Sequence, residues 1–246
     1  MSTHGKANTK ELALVSSFTA LYIVFGAIKI SPIIGLPGQA ITAAAILAPM
    51  MGIIFGPYIS VAATFLGGMI GISLGYFSQL SFASGIAAAL CSGLTSRGKR
   101  IISMIVYLVL FLLLAFFPVV GPAWLFMPYL WFQIIGFIIL ILPLQSTAIK
   151  NFDSNNSSRL FYAFFVTSLT STLAGQMAGS ATYELIVYPD TVGATGTWIT
   201  TAFLYPIERV IIAIGSAVIG TALFKVLKTA NLVPSLNRPH RQEKYS

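Results

Sequence analysis

Charge is scarce in this chain. Over 246 residues, 14 Lys or Arg and 6 Asp or Glu make up only 8%, whereas a soluble domain carries roughly a quarter. A water-facing surface cannot be covered with so few charges, which excludes an ordinary soluble enzyme. Cysteine is nearly absent: Cys91 stands alone, so there is no intramolecular disulfide and no cysteine cluster for zinc or iron–sulfur. The two histidines, His4 and His240, lie in polar tails, which excludes paired buried haem ligands and a histidine proton relay inside a membrane. A Gly-Lys-Ser phosphate loop is missing, so ATP hydrolysis is not expected of this chain. No Ser, Cys or Asp has a histidine at membrane depth to act as its base. The expectation is a protein that is not an enzyme and carries no cofactor or metal.

Apolar residues are abundant instead, at 57% with 18 Phe, and the mean hydropathy is +0.87. Several apolar stretches approach the roughly 20 residues a helix needs to cross a bilayer. The predicted class is all-α, a polytopic helical bundle in a cell membrane. Eight spans are read, at about Leu12–Ile30, Gln39–Gly56, Tyr58–Phe77, Leu80–Thr95, Ile101–Pro118, Pro128–Ala148, Leu160–Thr182 and Pro206–Leu227. The span Leu80–Thr95 is short and rich in Ser, Gly and Ala, and a re-entrant helix is its alternative; with one neighbour it reduces the count to six.

The net charge of +8 is a topology signal rather than a sign of nucleic acid. Twelve of the fourteen basic residues fall in four clusters, Lys6 and Lys10; Arg97, Lys99 and Arg100; Lys150 and Arg159; and Lys225, Lys228, Arg238, Arg241 and Lys244. Cytoplasmic loops are enriched in Lys and Arg, so all four belong on the inner side, and the spans between them number four, two and two. Both termini are then cytoplasmic: a tail over 1–11, one transmembrane domain over 12–230, and a basic tail over 231–246. The first apolar stretch lacks a clean small-residue cleavage site and reads as a retained helix. Outer connections fall at Ser31–Gly38, Ser78–Gln79, Val119–Met127 and Tyr183–Tyr205.

Punctuation and small residues add detail. Gly56-Pro57 reads as a tight inner turn, because Pro57 ends one helix and opens the next. Pro143, late in its span, predicts a kink or a break. Gly67, Gly71 and Gly75, Gly52 with Gly56, and Gly175 with Gly179 repeat at fourth-residue spacing, which lets backbones approach within the bundle. Ala13, Ser16, Ser17 and Ala20 form a small-residue strip on the first helix that suits either a neighbouring helix or a partner subunit.

This topology gathers polar side chains at the outer helix ends: Lys29, Gln39, Gln79, Gln133, Glu184, Asp190, Glu208 and Arg209, with several Tyr and Trp. A charge at a helix centre costs about 3 kcal/mol on insertion scales, so such residues pair, reach for the interface or line a site. Tyr and Trp have the simpler role of interfacial anchors. Glu208 also suits the positive end of a helix opening at Pro206. Its neighbour Arg209 projects about 100° away, so at least one of the two should meet another helix or a ligand. Gln176, near mid-span, is read first as an interhelical hydrogen-bonding residue.

The run Lys10–Tyr76 resembles the amino-terminal half of substrate-binding (S) components of energy-coupling factor transporters. The resemblance is carried by the first helix ALVSSFTALYIVFGAIKI, the loop SPIIGLPGQ and the pair APMMGIIFGPYISVAATFLGGMIG; the segment YPIERVIIAIGSAVIGTALFKVLK is similar to the last helix of such proteins. Together they cover about 90 of 246 residues. The resemblance implies a bilayer-embedded subunit that binds a vitamin-like solute at its outer face beneath the loop after the first helix, and works with a coupling membrane subunit and two cytoplasmic ATPases. It places the coupling-subunit contact at Ala13, Ser17 and Ala20, with Ser16 adjacent and Ser17 standing where the family strip has alanine. The family has six helices, and two more follow Arg100 here. Solute is expected among the loop Ser31–Gly38, Lys29, Gln39, Gln79, Tyr183, Glu184, Glu208 and Arg209, with Lys29 and Arg209 suited to an anionic group. A self-sufficient secondary carrier and a structural subunit without ligand are the two competing readings.

Overall fold

The computed structural model describes residues 9–230; residues 1–8 and the tail 231–246, with the basic residues Lys6, Arg238, Arg241 and Lys244, lie outside them. Ten α-helices and one small hairpin follow in order: α1 (Thr9–Gly26), β1 (Lys29–Pro32), β2 (Ala40–Thr42), α2 (Ala44–Phe55), α3 (Pro57–Ser73), α4 (Gln79–Ser96), α5 (Arg100–Ala115), α6 (Pro122–Leu125), α7 (Trp131–Ile141), α8 (Pro143–Asn151), α9 (Ser157–Val187) and α10 (Thr191–Thr229). The all-α class is as read from composition.

Short connections join the helices, and two are a single residue, Gly56 between α2 and α3 and Leu142 between α7 and α8. Gly56 links α2 to α3 with φ +85°, a left-handed value suited to glycine, and Pro57 opens α3 where a missing N–H costs nothing. Arg97 lies against this turn, its Nη2 3.5 Å from the Ile54 carbonyl.

At the centre is α4. It packs most extensively on α9 and α2, and then on α3. Its low hydropathy has a packing reason: Ala87, Ala88, Ala89, Cys91, Ser92 and Gly93 are buried between other helices. A Cβ on Gly93 would lie 2.5 Å from the Pro57 nitrogen, and one on Gly175 would lie 2.7 Å from the Ser84 carbonyl oxygen. Of the glycines spaced at four residues, Gly52, Gly67, Gly71, Gly175 and Gly179 serve close approach inside the bundle, whereas Gly56 is the turn and Gly75 lies beyond α3 at φ +75° with nothing within 4 Å of an added Cβ. In α9 the polar run Thr167–Thr172 is buried too, and Gln145 of α8 bridges it, Nε2 donating to Thr167 Oγ1 at 2.9 Å.

Three boundaries differ from the sequence reading. Residues 183–205 are helical on both sides of a short turn at 188–190 rather than an outer loop. Asp190 explains the restart, because its carboxylate accepts from the amides of Val192 and Gly193 and caps α10. The stretch before α2 pairs as the β1–β2 hairpin, leaving α2 with 12 residues. The span at Pro143 breaks there, with a 62° bend between the segment Met127–Ile141 and α8. Arg100 bonds the carbonyls freed at that break: Nε donates to Leu140 O at 2.7 Å, Nη2 to Ile141 O and Leu142 O, and Nη1 to Ser146 Oγ at 2.6 Å.

Among the described residues one helix, α10, is able by length and composition to cross a membrane, or two if the bent pair at Pro143 is one span; Glu11–Gly26, α2, α3 and α5 are apolar and shorter.

Candidate functional site

A cavity opens beside the β1–β2 hairpin. Its walls come from six parts of the chain: Tyr22 of α1, Ile33, Ile41 and Thr42 of the hairpin, Ala44, Ala45 and Ala48 of α2, Phe77 ahead of α4, Ser81, Ser84, Gly85 and Ala88 of α4, and a far side made by α9 and α10. That far side carries Thr172, Gln176, Gly179 and Ser180 from α9, and Tyr205 and Arg209 from α10. The free volume between the walls is about 70 Å³, and the cavity is open at its mouth.

Helical spacing puts these polar groups on one face. On α9, Thr172, Gln176 and Ser180 recur every fourth residue and project together. Gln176 Nε2 donates to Tyr129 Oη at 3.1 Å, and the same hydroxyl shares a 3.1 Å hydrogen bond with Ser180. The interhelical bond expected of Gln176 is therefore present, while its Oε1 is buried without a partner. Arg209 is 4% exposed. Its Nη1 lies 3.5 Å from Thr172 Oγ1 and its Nη2 3.5 Å from Glu208 Oε2, and Nε is buried without a partner. Tyr205 supports it from the side, with the ring centroid 5.8 Å from Cζ.

Of the seven solute-binding residues read from the sequence, Arg209 alone lines the cavity. Glu208 is buried behind it as its partner, with Oε1 unpaired. Both oxygens of Glu184 are buried without a hydrogen-bond partner, outside the lining. Tyr183 is off the lining and held elsewhere: its hydroxyl bonds Thr197 Oγ1 at 2.7 Å, and Gly35 at the hairpin tip, φ +84°, sits so close that a Cβ there would lie 2.7 Å from both oxygens. Lys29, Gln39 and Gln79 are exposed and off the lining, because the hairpin turns the first two away and Gln79 is the first residue of α4. The strip Ala13, Ser16, Ser17 and Ala20 is exposed along α1.

Tyr22, Thr42, Ser81, Ser84, Thr172, Ser180 and Tyr205 were not singled out from the sequence as solute contacts. Hydroxyls repeating at helical spacing within two apolar segments, Ser81 with Ser84 and Thr172 with Ser180, were the available signal. Among the described residues no three His, Cys, Asp or Glu side chains gather to hold a metal ion. Comparisons with family profiles, curated proteins and solved structures find no match for this chain.

Proposed function

We propose that the chain is a membrane-embedded solute-binding subunit, similar to the S components of energy-coupling factor transporters, which captures a vitamin-sized molecule at its outer face and depends on a coupling membrane subunit and two cytoplasmic ATPases. The observation that carries this reading is the cavity, set beneath the loop that follows α1 and lined by a buried arginine and glutamine with unused hydrogen-bonding capacity.

A bilayer setting with eight crossings and both termini inside is part of the proposal. Its support is the surface: Ile101, Ile105 and Leu113 of α5, and Phe203, Ile207 and Ile211 of α10, are all more than half exposed. Apolar area of that extent is foreign to a soluble monomer. Helices α4 and α9 fall short in hydropathy because protein surrounds them. A helix as short as α2, about 18 Å long, is tolerable where its ends are buried by neighbours rather than exposed to lipid. The exposed small-residue strip on α1 offers a face for the coupling subunit.

A second reading, a self-sufficient carrier, draws on Glu184, whose buried carboxyl is the kind of group that couples transport to a cation or proton. Native mass spectrometry on protein extracted from its own host separates the two. A retained small molecule together with a membrane partner and ATPases supports the first; uptake into vesicles holding the purified chain alone supports the carrier; neither ligand nor uptake rejects both.

A further inference from the structure

Resting on the solute-binding reading above, the geometry points to the chemical class of the solute: we propose that the cavity takes a flat, largely apolar molecule bearing a single carboxylate, with the carboxylate seated on Arg209.

Among the described residues Arg209 is the only charged side chain in the lining. A guanidinium has five N–H donors, and here two reach partners at 3.5 Å, long for a hydrogen bond. Nε has none. Leaving charged donors unused in a buried place is costly, and a planar oxyanion presenting two acceptors is the complement of the guanidinium fork. The two buried acids near this region, Glu208 and Glu184, both lie outside the lining, so a cationic solute would meet the arginine and no carboxylate.

The amount of charge is set by Glu208. Its Oε2, 3.5 Å from Nη2, already opposes part of the arginine's charge, and no second cation lines the cavity. One negative charge is matched there; a phosphate dianion is not. Gln176 and the hydroxyls of Thr42, Ser81, Ser84, Thr172 and Ser180 supply the remaining polar specification. Gln176 Nε2 is held by Tyr129 and its Oε1 is buried without a partner, so a solute donor that reaches it is favoured over a second acceptor. The rest of the space is bounded by Tyr22 and Phe77, whose ring centroids are 5.1 Å apart, by Tyr205 and by alanines, walls that suit a flat ring.

The test uses the purified full chain in detergent and three pairs of probes that differ only in charge: benzoate and benzamide, indole-3-acetate and indole-3-acetamide, 4-phenylbutyrate and its amide. Affinities are read by thermal stabilisation and by direct titration. At least one acid is expected to bind about tenfold more tightly than its amide, with R209Q removing the preference and R209K retaining part of it. Accessibility of Cys91 to a thiol reagent shows whether each variant is folded, and if R209Q is not, the R209K comparison decides. Equal binding of acids and amides, or a preference that survives R209Q or is undiminished in R209K, overturns the assignment while leaving a small-molecule site in place. Failure of every probe at millimolar concentration overturns the assignment together with the solute-binding reading.

Discussion

Glu208 and Arg209 are adjacent in the chain yet meet through one nitrogen and one oxygen at 3.5 Å. Successive helical side chains diverge, so the pair can form only this long single contact, and each partner keeps an unpaired buried atom, Glu208 Oε1 and Arg209 Nε. A salt bridge of this kind restrains the arginine without saturating it. Replacing Glu208 by Gln removes the opposing charge. E208Q is therefore expected to tighten binding of carboxylate probes by about threefold while leaving their amides unaffected. Titration against the wild type checks this; weaker or unchanged acid binding would mean that Glu208 does not oppose the site.

Arg100 spans the break between α7 and α8, donating to three carbonyls and the Ser146 hydroxyl. Truncation in R100A leaves those carbonyls without their donor and should lower the unfolding free energy by about 2 kcal/mol. A lysine has the charge but lacks the fork, so R100K should recover only part of the loss. Thermal unfolding in detergent distinguishes the three proteins, and an unchanged midpoint in R100A would show that the break is held by packing alone.

Gly52 of α2 faces α4 with no room for a side chain: its added Cβ would collide with Ser92 and with the Ala89 carbonyl. G52V is expected to force the two helices apart at a cost of about 1–3 kcal/mol. Cys91, buried in α4, reports the change: it should resist maleimide in the native wild type and react in G52V under the same conditions. Rapid labelling of the native wild type would contradict the burial itself.

The strip on α1 gives a test of partnership that leaves the cavity alone. Placing a bulky side chain on it, as in A20W, should abolish copurification of the coupling subunit while preserving probe affinity, since Ala20 is exposed and two residues, about 200° around the helix, from the lining residue Tyr22. Retained copurification with A20W would take the strip out of the interface.

Much of this architecture was legible in the residues. Gly56-Pro57 marked the one-residue turn, Pro143 marked the break, and the fourth-residue glycines other than Gly75 marked close approaches, because each of these signals is local and steric. Arg209 and Gln176 stood out because polar groups are rare in apolar stretches. The rest depended on contacts between distant segments. Nothing near Lys29 shows that the hairpin turns it away from the cavity, and nothing near Tyr183 shows that its hydroxyl is occupied by Thr197 beneath Gly35. The loop read over 183–205 misled because its Gly, Thr and Pro residues suggest a turn, whereas Asp190 caps a new helix almost at once. Serines 81 and 84 went unnoticed because a hydroxyl among alanines becomes informative only when another helix, here α9, presents its own polar face across a gap.

The central position of α4 bears on how the protein is made. In the bilayer setting proposed for it, a segment of serine, glycine and alanine gains little from lipid, and its principal packing partner α9 begins only at Ser157. While the ribosome is still completing the residues between them, α4 can rest on α2 and α3, but the face that packs on α9 stays uncovered until the later helix arrives. A nascent chain arrested before Ser157 should accordingly expose α4 to quality-control proteases, which makes the order of synthesis, and not only the finished packing, a constraint on this sequence.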